Sequence, residues 1–285
     1  MTTRATARTA RTPRTIVITG ASDGIGAAAA RRLSAKGEKV VVVGRSESKT
    51  TAVAAELGAD YFVVDYADLS QVRAVADKIR SEYPRIDVLV NNAGLMVHKV
   101  HATPDGFETT YQVNYLAPFL LTTQLLDVLV DSRAIVVNTT SSSHRLVRIT
   151  RAADVEATRR RPSTAYAFSK LAIVLFTKEL HRRYHGDGLS TATVHPGFVN
   201  SNFGTASESR FLAFMDRHTP VERFISSSDE GAEQLVWLAS STPGVDWTPG
   251  EYYARHKIAK ANRAARNTRL ASELWEHTRA RLALS

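Results

Sequence analysis

Cysteine is absent from the 285-residue chain. That excludes disulfides, thiolate metal sites and a cysteine nucleophile, and no metal site is expected. Long apolar runs are missing too: none approaches the ~18–20 residues that a membrane span requires. Acid is scarce where base is concentrated. Residues 1–14 carry four arginines and no acid, and residues 254–285 carry eight Lys/Arg against Glu273 and Glu276. Most of the formal charge of +9 therefore sits at the two ends, and the rest is close to neutral. Charge runs at termini are ordinarily solvated, so a nucleic-acid partner is disfavoured. The first stretch has no large apolar residue after Met1, hence no amphipathic targeting face. It reads as a disordered basic arm over 1–14, and the expected location is cytoplasmic.

What is present is a regular alternation. Short β-branched runs at 16–19, 40–44, 61–65, 86–90, 134–137 and 189–194 read as buried strands, with a seventh at 250–253. Helical stretches separate them at 27–33, 46–57, 69–81, 104–130, 163–184 and 229–240. Strands apolar on both faces, alternating with helices, specify a parallel sheet covered on both sides. With right-handed crossovers this is a single-domain, doubly wound α/β Rossmann fold of about seven strands. The organisation expected is the basic arm, a catalytic domain over 15–253 with a substrate flap at 203–228, and a basic helical extension over 254–285.

The first strand runs into Gly20-Ala21-Ser22-Asp23-Gly24-Ile25-Gly26 and then a helix. Glycines there permit a tight turn and close approach of backbone to a pyrophosphate, and the helix N-terminus offers N–H groups to it. The second strand ends at Gly44-Arg45 with Lys49 one turn on. An Arg fork at that place suits a 2′-phosphate, which favours NADP(H) over NAD. Asp65, ending the third strand, could accept from an adenine amino group or cap the next helix, with Asp68 a rival for the cap. Asn91-Asn92-Ala93-Gly94 ends the fourth strand, with Asn91, Ala93 and Gly94 as cofactor contacts. His195-Pro196-Gly197-Phe198-Val199-Asn200-Ser201 follows the sixth, with Pro196, Gly197, Val199 and Ser201 shaping a pocket wall. All lie at the edge where open α/β sheets bind ligands.

Within the long helix, Asn114 is a poor helix former, and Pro118 cannot donate to its carbonyl. A kink near Asn114 is expected. Thr139-Thr140-Ser141-Ser142-Ser143-His144 brings hydroxyls to the same edge after the fifth strand. Tyr166 and Lys170, four apart on a helix, share a face. A free Tyr is a poor base near neutrality, and an adjacent ammonium stabilises its phenolate. His144 and His195 have no carboxylate nearby in sequence and are disfavoured as general bases.

These motifs together, in this order, resemble a classical short-chain dehydrogenase/reductase over residues 14 to about 253. Val113-Asn114-Tyr115-Leu116, Asn138 to His144, Ser169-Lys170-Leu171-Ala172, His195-Pro196-Gly197 and Glu273-Leu274-Trp275-Glu276 are similar to the retinol-dehydrogenase-like branch. The resemblance implies an NADP(H)-dependent enzyme interconverting a carbonyl and an alcohol. It gives Tyr166 the substrate proton, and Lys170 the tuning of Tyr166 and a hold on the nicotinamide ribose. Ser141 would hydrogen-bond the substrate oxygen, with Ser142 a rival by one position. Asn114 would hold a water linking Lys170 to solvent. It also implies a homodimer or homotetramer. The interval from Ser141 to Tyr166 carries Arg145, Arg148, Arg151 and Arg159 to Arg161, read as a solvated basic loop. Phe203, Phe211, Leu212, Phe214, Met215, Phe224 and Ile225 suggest a lipophilic substrate. The alternative reading is a cofactor-binding sensor without turnover; its expected signature, a broken Tyr/Lys pair, is missing.

Overall fold

The computed structural model describes residues 12–156, 161–199 and 225–284. In chain order, β1 (Thr15–Thr19) leads to α1 (Gly24–Ser34), β2 (Lys39–Gly44), α2 (Glu47–Leu57), β3 (Asp60–Val63), α3 (Leu69–Glu82) and β4 (Val88–Asn91). A helical stretch follows as α4 (Thr109–Tyr111), a π-turn (Gln112–Leu116), α5 (Ala117–Gln124) and α6 (Leu126–Asp131). Then come β5 (Ile135–Thr139), α7 (Pro162–Tyr184), β6 (Ser190–His195), β7 (Phe198–Val199), β8 (Ile225–Ser226), α8 (Ser228–Ser240), β9 (Tyr252–Ala254), β10 (Lys257–Ile258) and α9 (Thr268–Arg281).

Eight strands form the main sheet in the order β10-β9-β6-β5-β4-β1-β2-β3. All its pairs are parallel except β9 with β10. The order reverses between β1 and β4, which opens a crevice at the strands' carboxyl ends, the ligand position of this architecture. β7 and β8 make a separate parallel pair.

Alternation along each strand divides the core. Ile16, Ile18, Val40, Val42, Val88 and Val90 face α1, α2 and α8. Val17, Val41, Val43, Leu89 and Val136 face α3, α5, α7 and α9. Apolar residues on both faces of a strand are what a sheet covered twice demands.

The stretch expected as one helix over 104–130 is broken. It begins at Thr109, because the Glu108 carboxylate caps it, accepting from the N–H groups of Thr110 (2.9 Å) and Tyr111 (2.7 Å). The irregularity expected at Asn114 takes the form of the π-turn, with Ala117 N–H reaching the Gln112 carbonyl. A second break falls at Leu125, where the backbone leaves helical geometry. The edge strand β10 was not expected; two residues inside a basic segment leave no alternating signature. The C-terminal helix α9 buries Leu270, Leu274 and Trp275 in the core shared with α7. Residues 1–11 of the basic arm, Arg159 and Arg160, Ser201 and the 203–224 part of the flap lie outside the described residues.

Candidate active site

The glycine turn is tied to the end of β4 by one buried hydroxyl. Thr19 Oγ1 donates to the Val90 carbonyl (3.3 Å) and accepts from the N–H groups of Asn92 (3.0 Å) and Ala93 (3.1 Å). Gly20 then has φ +64, and a Cβ there would stand 2.8 Å from Ala93 Cα. Backbone touches backbone, so no larger residue fits without a shift. Asn92 closes the arrangement: its Nδ2 donates to the carbonyls of Thr19 (3.2 Å) and Gly20 (3.4 Å), and its Oδ1 accepts from Thr139 Oγ1 (3.3 Å). Ser22 leans on the end of β2, where a Cβ on Gly44 would come within 2.7 Å of its own Cβ. Asp23 caps α1, accepting from Gly24 N–H (2.8 Å), and Ile25 and Gly26 lie in that helix's first turn, the end at which backbone N–H groups lack helical partners.

Arg45 follows β2 directly and is exposed. Lys49 is engaged elsewhere: its Nζ lies 2.6 Å from Asp23 Oδ2, linking α2 to the cap of α1. Asp65 accepts from Ala67 N–H (2.9 Å) and closes the turn after β3. The α3 cap belongs to its rival Asp68, which accepts from Ser70 N–H (2.9 Å) and Gln71 N–H (3.4 Å). Asn91 is buried, and its Nδ2 donates to Thr122 Oγ1 (2.9 Å) and Asn138 Oδ1 (2.8 Å). Asn138 in turn donates to Thr177 Oγ1 (2.9 Å). This polar seam locks β4, β5, α5 and α7 together beneath the crevice, so the Asn91 side chain acts inside the fold rather than at its rim.

The catalytic candidates gather where β5, the π-turn and α7 meet. Lys170 is buried to 3 % exposure. Its Nζ donates to the Thr139 carbonyl (3.2 Å) and lies 5.6 Å from the centre of the Tyr166 ring. Burial alone lowers its pKa to about 8. Asn114 stands beside it: a Cβ on Gly94 would lie 3.1 Å from Asn114 Oδ1 and 3.3 Å from Lys170 Nζ. Asn114 Oδ1 accepts from Leu95 N–H (2.7 Å), and its Nδ2 donates to the Leu95 carbonyl (2.9 Å) and Ser169 Oγ (3.1 Å). Ser169 Oγ donates onward to the Tyr166 carbonyl (2.8 Å). Thr140 Oγ1 donates to the Lys170 carbonyl (2.8 Å), fixing the strand end against α7 one residue before Ser141.

Ser141 is half-buried and opens a 3-10 turn, Ser142–Leu146. His144 Nδ1 lies 2.5 Å from the Ser141 carbonyl oxygen, which only accepts, so that nitrogen carries the proton. Burial lowers the pKa of His144 and takes His195 to about 4, so both rings are neutral at neutral pH. Ser142 is half-buried one position on. Gly197, φ +98, turns the chain after β6 behind Pro196, and Val199 ends β7.

Thr19, Asn92, Thr139 and Ser169 were not singled out as site residues. Each works through backbone groups or a second side chain, and only the order of the strands brings their partners within reach. Among the described residues no His/Cys/Asp/Glu group could hold a metal ion.

The sequence model of the short chain dehydrogenase family matches residues 14–210. The chain is a short-chain dehydrogenase/reductase. It is 36 % identical over 269 residues to human retinol dehydrogenase 12, covering 91 % of this chain and 83 % of that one, and it belongs to the retinol-dehydrogenase-like branch. It is 37 % identical over 273 residues to a protein provisionally assigned as daunorubicin C-13 ketoreductase DnrU of Streptomyces sp. (strain C5), covering 92 % and 90 %. Among solved structures, an uncharacterized protein from Mycobacterium paratuberculosis superposes with a TM-score of 0.74 at 31 % identity, covering 95 % and 93 %. This short-chain dehydrogenase/reductase is thus an oxidoreductase of carbonyls and alcohols that takes a nicotinamide cofactor. No helix among its described residues is long and apolar enough to cross a membrane.

Proposed function

We propose that the protein is an NADP(H)-dependent reductase or dehydrogenase of lipophilic carbonyls and alcohols, with Tyr166 moving the substrate proton. The observation that carries this is the buried Lys170 ammonium set between the Thr139 carbonyl, the Tyr166 ring and the Asn114 side chain, at the sheet edge that also holds the glycine turn.

The residues present fit a dinucleotide. The Cβ-less Gly20 lets the turn pack its backbone directly on Ala93, the first turn of α1 presents N–H groups for a pyrophosphate, and Gly94 lets the chain pass close beside Lys170 and Asn114. When bound, the cofactor supplies the hydride. The chain supplies the rest. Tyr166 donates or accepts the alcohol proton at its phenolic oxygen. Lys170, kept cationic below about pH 8, favours the phenolate form of its neighbour and would hold the ribose. Ser141, at the exit of β5, would hold the substrate oxygen. Asn114, fixed by Leu95 and Ser169, would keep a water against Lys170 for proton exchange with solvent. Gly20 to Gly26, Ala93, Gly94, Pro196, Gly197 and Val199 would line the cofactor cleft, with Asp65 beside the adenine.

Arg45 supports NADP(H) over NAD: it is an exposed fork at the end of β2, where an acid would serve a ribose hydroxyl. A lipophilic substrate is supported by the apolar content of residues 203–225 and by relatives named for retinol and for polyprenol, the latter a human dehydrogenase. The expected setting is the cytoplasm, and the expected assembly a homodimer or homotetramer.

The test is turnover of a panel of aldehydes and ketones, long-chain and aromatic members included, with NADPH and with NADH. Activity with NADPH that Tyr166→Phe abolishes is the expected result. Equal rates for wild type and Tyr166→Phe would overturn the reading.

A further inference from the structure

Helix α9 lies outside the 14–210 span matched by the family model, yet it reaches the π-turn that carries Asn114. The contact is a hydrogen bond between two fully buried hydroxyls: Tyr115 Oη and Thr278 Oγ1 are 2.7 Å apart, and both residues are 0 % exposed. Its direction can be deduced. Thr278 has one hydroxyl proton and gives it to the Leu274 carbonyl at 2.7 Å. The Tyr115 phenol is therefore the donor and Thr278 the acceptor. Burial pushes the Tyr115 phenol far above its ordinary value, so it keeps that proton.

The bond acts on an element with two ways of winding. A π-turn inside an α-helix holds one extra residue. Rewinding it would shift the register and swing neighbouring side chains around the axis by about 100° per residue. Asn114 and Tyr115 are adjacent in that turn and point apart, Asn114 to Leu95 and Ser169, Tyr115 to α9. Fixing one fixes the other. Apolar contacts bring α9 to the right place but tolerate rotation: Trp275 lies 5.0 Å from Phe119 and 5.8 Å from Phe176 of α7, ring centre to ring centre. The hydroxyl pair supplies the direction those rings lack. From the same helix, His277 (2.8 Å) and Arg281 (3.1 Å) hold Glu156, a few residues before the helix of Tyr166.

We propose that Tyr115 and Thr278 are positioning residues for the reaction: their buried hydroxyl pair holds the π-turn in the winding that aims Asn114 at Leu95 and Ser169 beside Lys170. The proposal rests on the reading of Asn114, Lys170 and Tyr166 as the reacting centre.

Thr278→Val, which keeps the shape and removes the acceptor, tests it. Thr278→Ser restores the hydroxyl. Tyr115→Phe is the weaker probe, because Tyr111 brings a second buried hydroxyl close by, its ring centre 5.4 Å from that of Tyr115. Val236→Ala, on the opposite face of the sheet in α8, serves as a stability control. Two readouts are taken well below the melting temperature: kcat and KM with NADPH and a carbonyl that the wild type reduces, and amide hydrogen exchange at Leu95, whose N–H bonds to Asn114. Thr278→Val should lose kcat by about tenfold or more, as sub-ångström misplacement does, with KM nearly unchanged, and Leu95 should exchange several-fold faster. Thr278→Ser should behave as wild type, and Val236→Ala should keep its kcat. A Thr278→Val enzyme that melts earlier but keeps its kcat, or loses no more than Val236→Ala, overturns the proposal. If Tyr166→Phe turned over like wild type, the catalytic reading would fall. Faster Leu95 exchange in Thr278→Val would then still support the brace, and unchanged exchange would overturn it.

Discussion

Gly94 and Lys170 share one small space. A methyl group at residue 94 would stand 3.3 Å from the Lys170 ammonium and 3.1 Å from Asn114 Oδ1. Both neighbours would have to yield by a few tenths of an ångström. Gly94→Ala should therefore fold with little loss of stability and lose kcat by about tenfold, since small displacements of reacting groups are costly. Gly20→Ala should behave differently. Its Cβ meets the backbone at Ala93 and its φ is +64, so both stability and cofactor binding should fall. Calorimetry of cofactor binding alongside thermal melts separates the two cases.

Lys170 predicts a pH dependence of stability. Its pKa is lowered to about 8 in the folded protein against ~10.4 for a free lysine. The unfolded chain thus binds more protons between these values, and stability rises with pH across that window. Below about pH 8 the full cost of burying the charge is present, on the order of 3 kcal/mol. Urea unfolding of the cofactor-free protein from pH 7 to 10.5 should show the rise in wild type, and Lys170→Met should flatten it. A wild-type midpoint that does not climb over this range would count against the assignment.

Arg45 and Lys49 should not contribute equally to cofactor choice. Lys49 is committed to Asp23 at 2.6 Å, whereas Arg45 is exposed just after β2. Arg45→Ala should weaken NADPH by roughly 10- to 100-fold, the worth of a charge-assisted hydrogen bond, and leave NADH nearly unaffected. Lys49→Ala should have the smaller effect. Dissociation constants for both cofactors at low and moderate salt check this.

Removing the Tyr166 hydroxyl or the Lys170 ammonium should lower kcat by about 10²- to 10⁴-fold, the span of general acid–base catalysis, with Tyr166→Phe still folded. Asn114→Asp keeps the acceptor for Leu95 N–H but loses the donor to the Leu95 carbonyl and Ser169 Oγ. It should be slow, though less so than Tyr166→Phe. Steady-state rates with circular dichroism as a control for folding decide both.

The sheet was legible because its strands are buried on both faces: runs such as residues 40–43 carry an unbroken apolar signal whatever their neighbours do. Tyr166 and Lys170 were legible because helical spacing alone puts them together. Asn114 was visible as a disturbance, since its conflict with Pro118 is local; that the disturbance is a π-turn depends on α9 and Leu95, remote in the chain. The two asparagines 91 and 92 are alike in sequence, and only strand alternation sends Asn91 into the Thr122–Asn138 seam and Asn92 to the glycine turn. Lys49 drawn to Asp23 could not be foreseen, because the pairing needs the actual placement of α1 against α2. The roles of Asp65 and Asp68 were left open by spacing and divided by hydrogen bonding.

The Tyr115–Thr278 bond joins positions 163 residues apart. Synthesis proceeds from the N-terminus at about 5–20 residues per second, so the helix of Asn114 leaves the ribosome many seconds before its partner. For that interval the growing chain can hold strands β1 to β6 and the glycine turn, while Phe119 and Phe176 stand without Trp275. Competence therefore arrives only once α9 has been made, rather than gradually. A polypeptide stopped before α9 would keep the glycine turn, Asn114, Ser141, Tyr166 and Lys170 and still expose an aromatic hollow, a species suited to capture by chaperones and proteases.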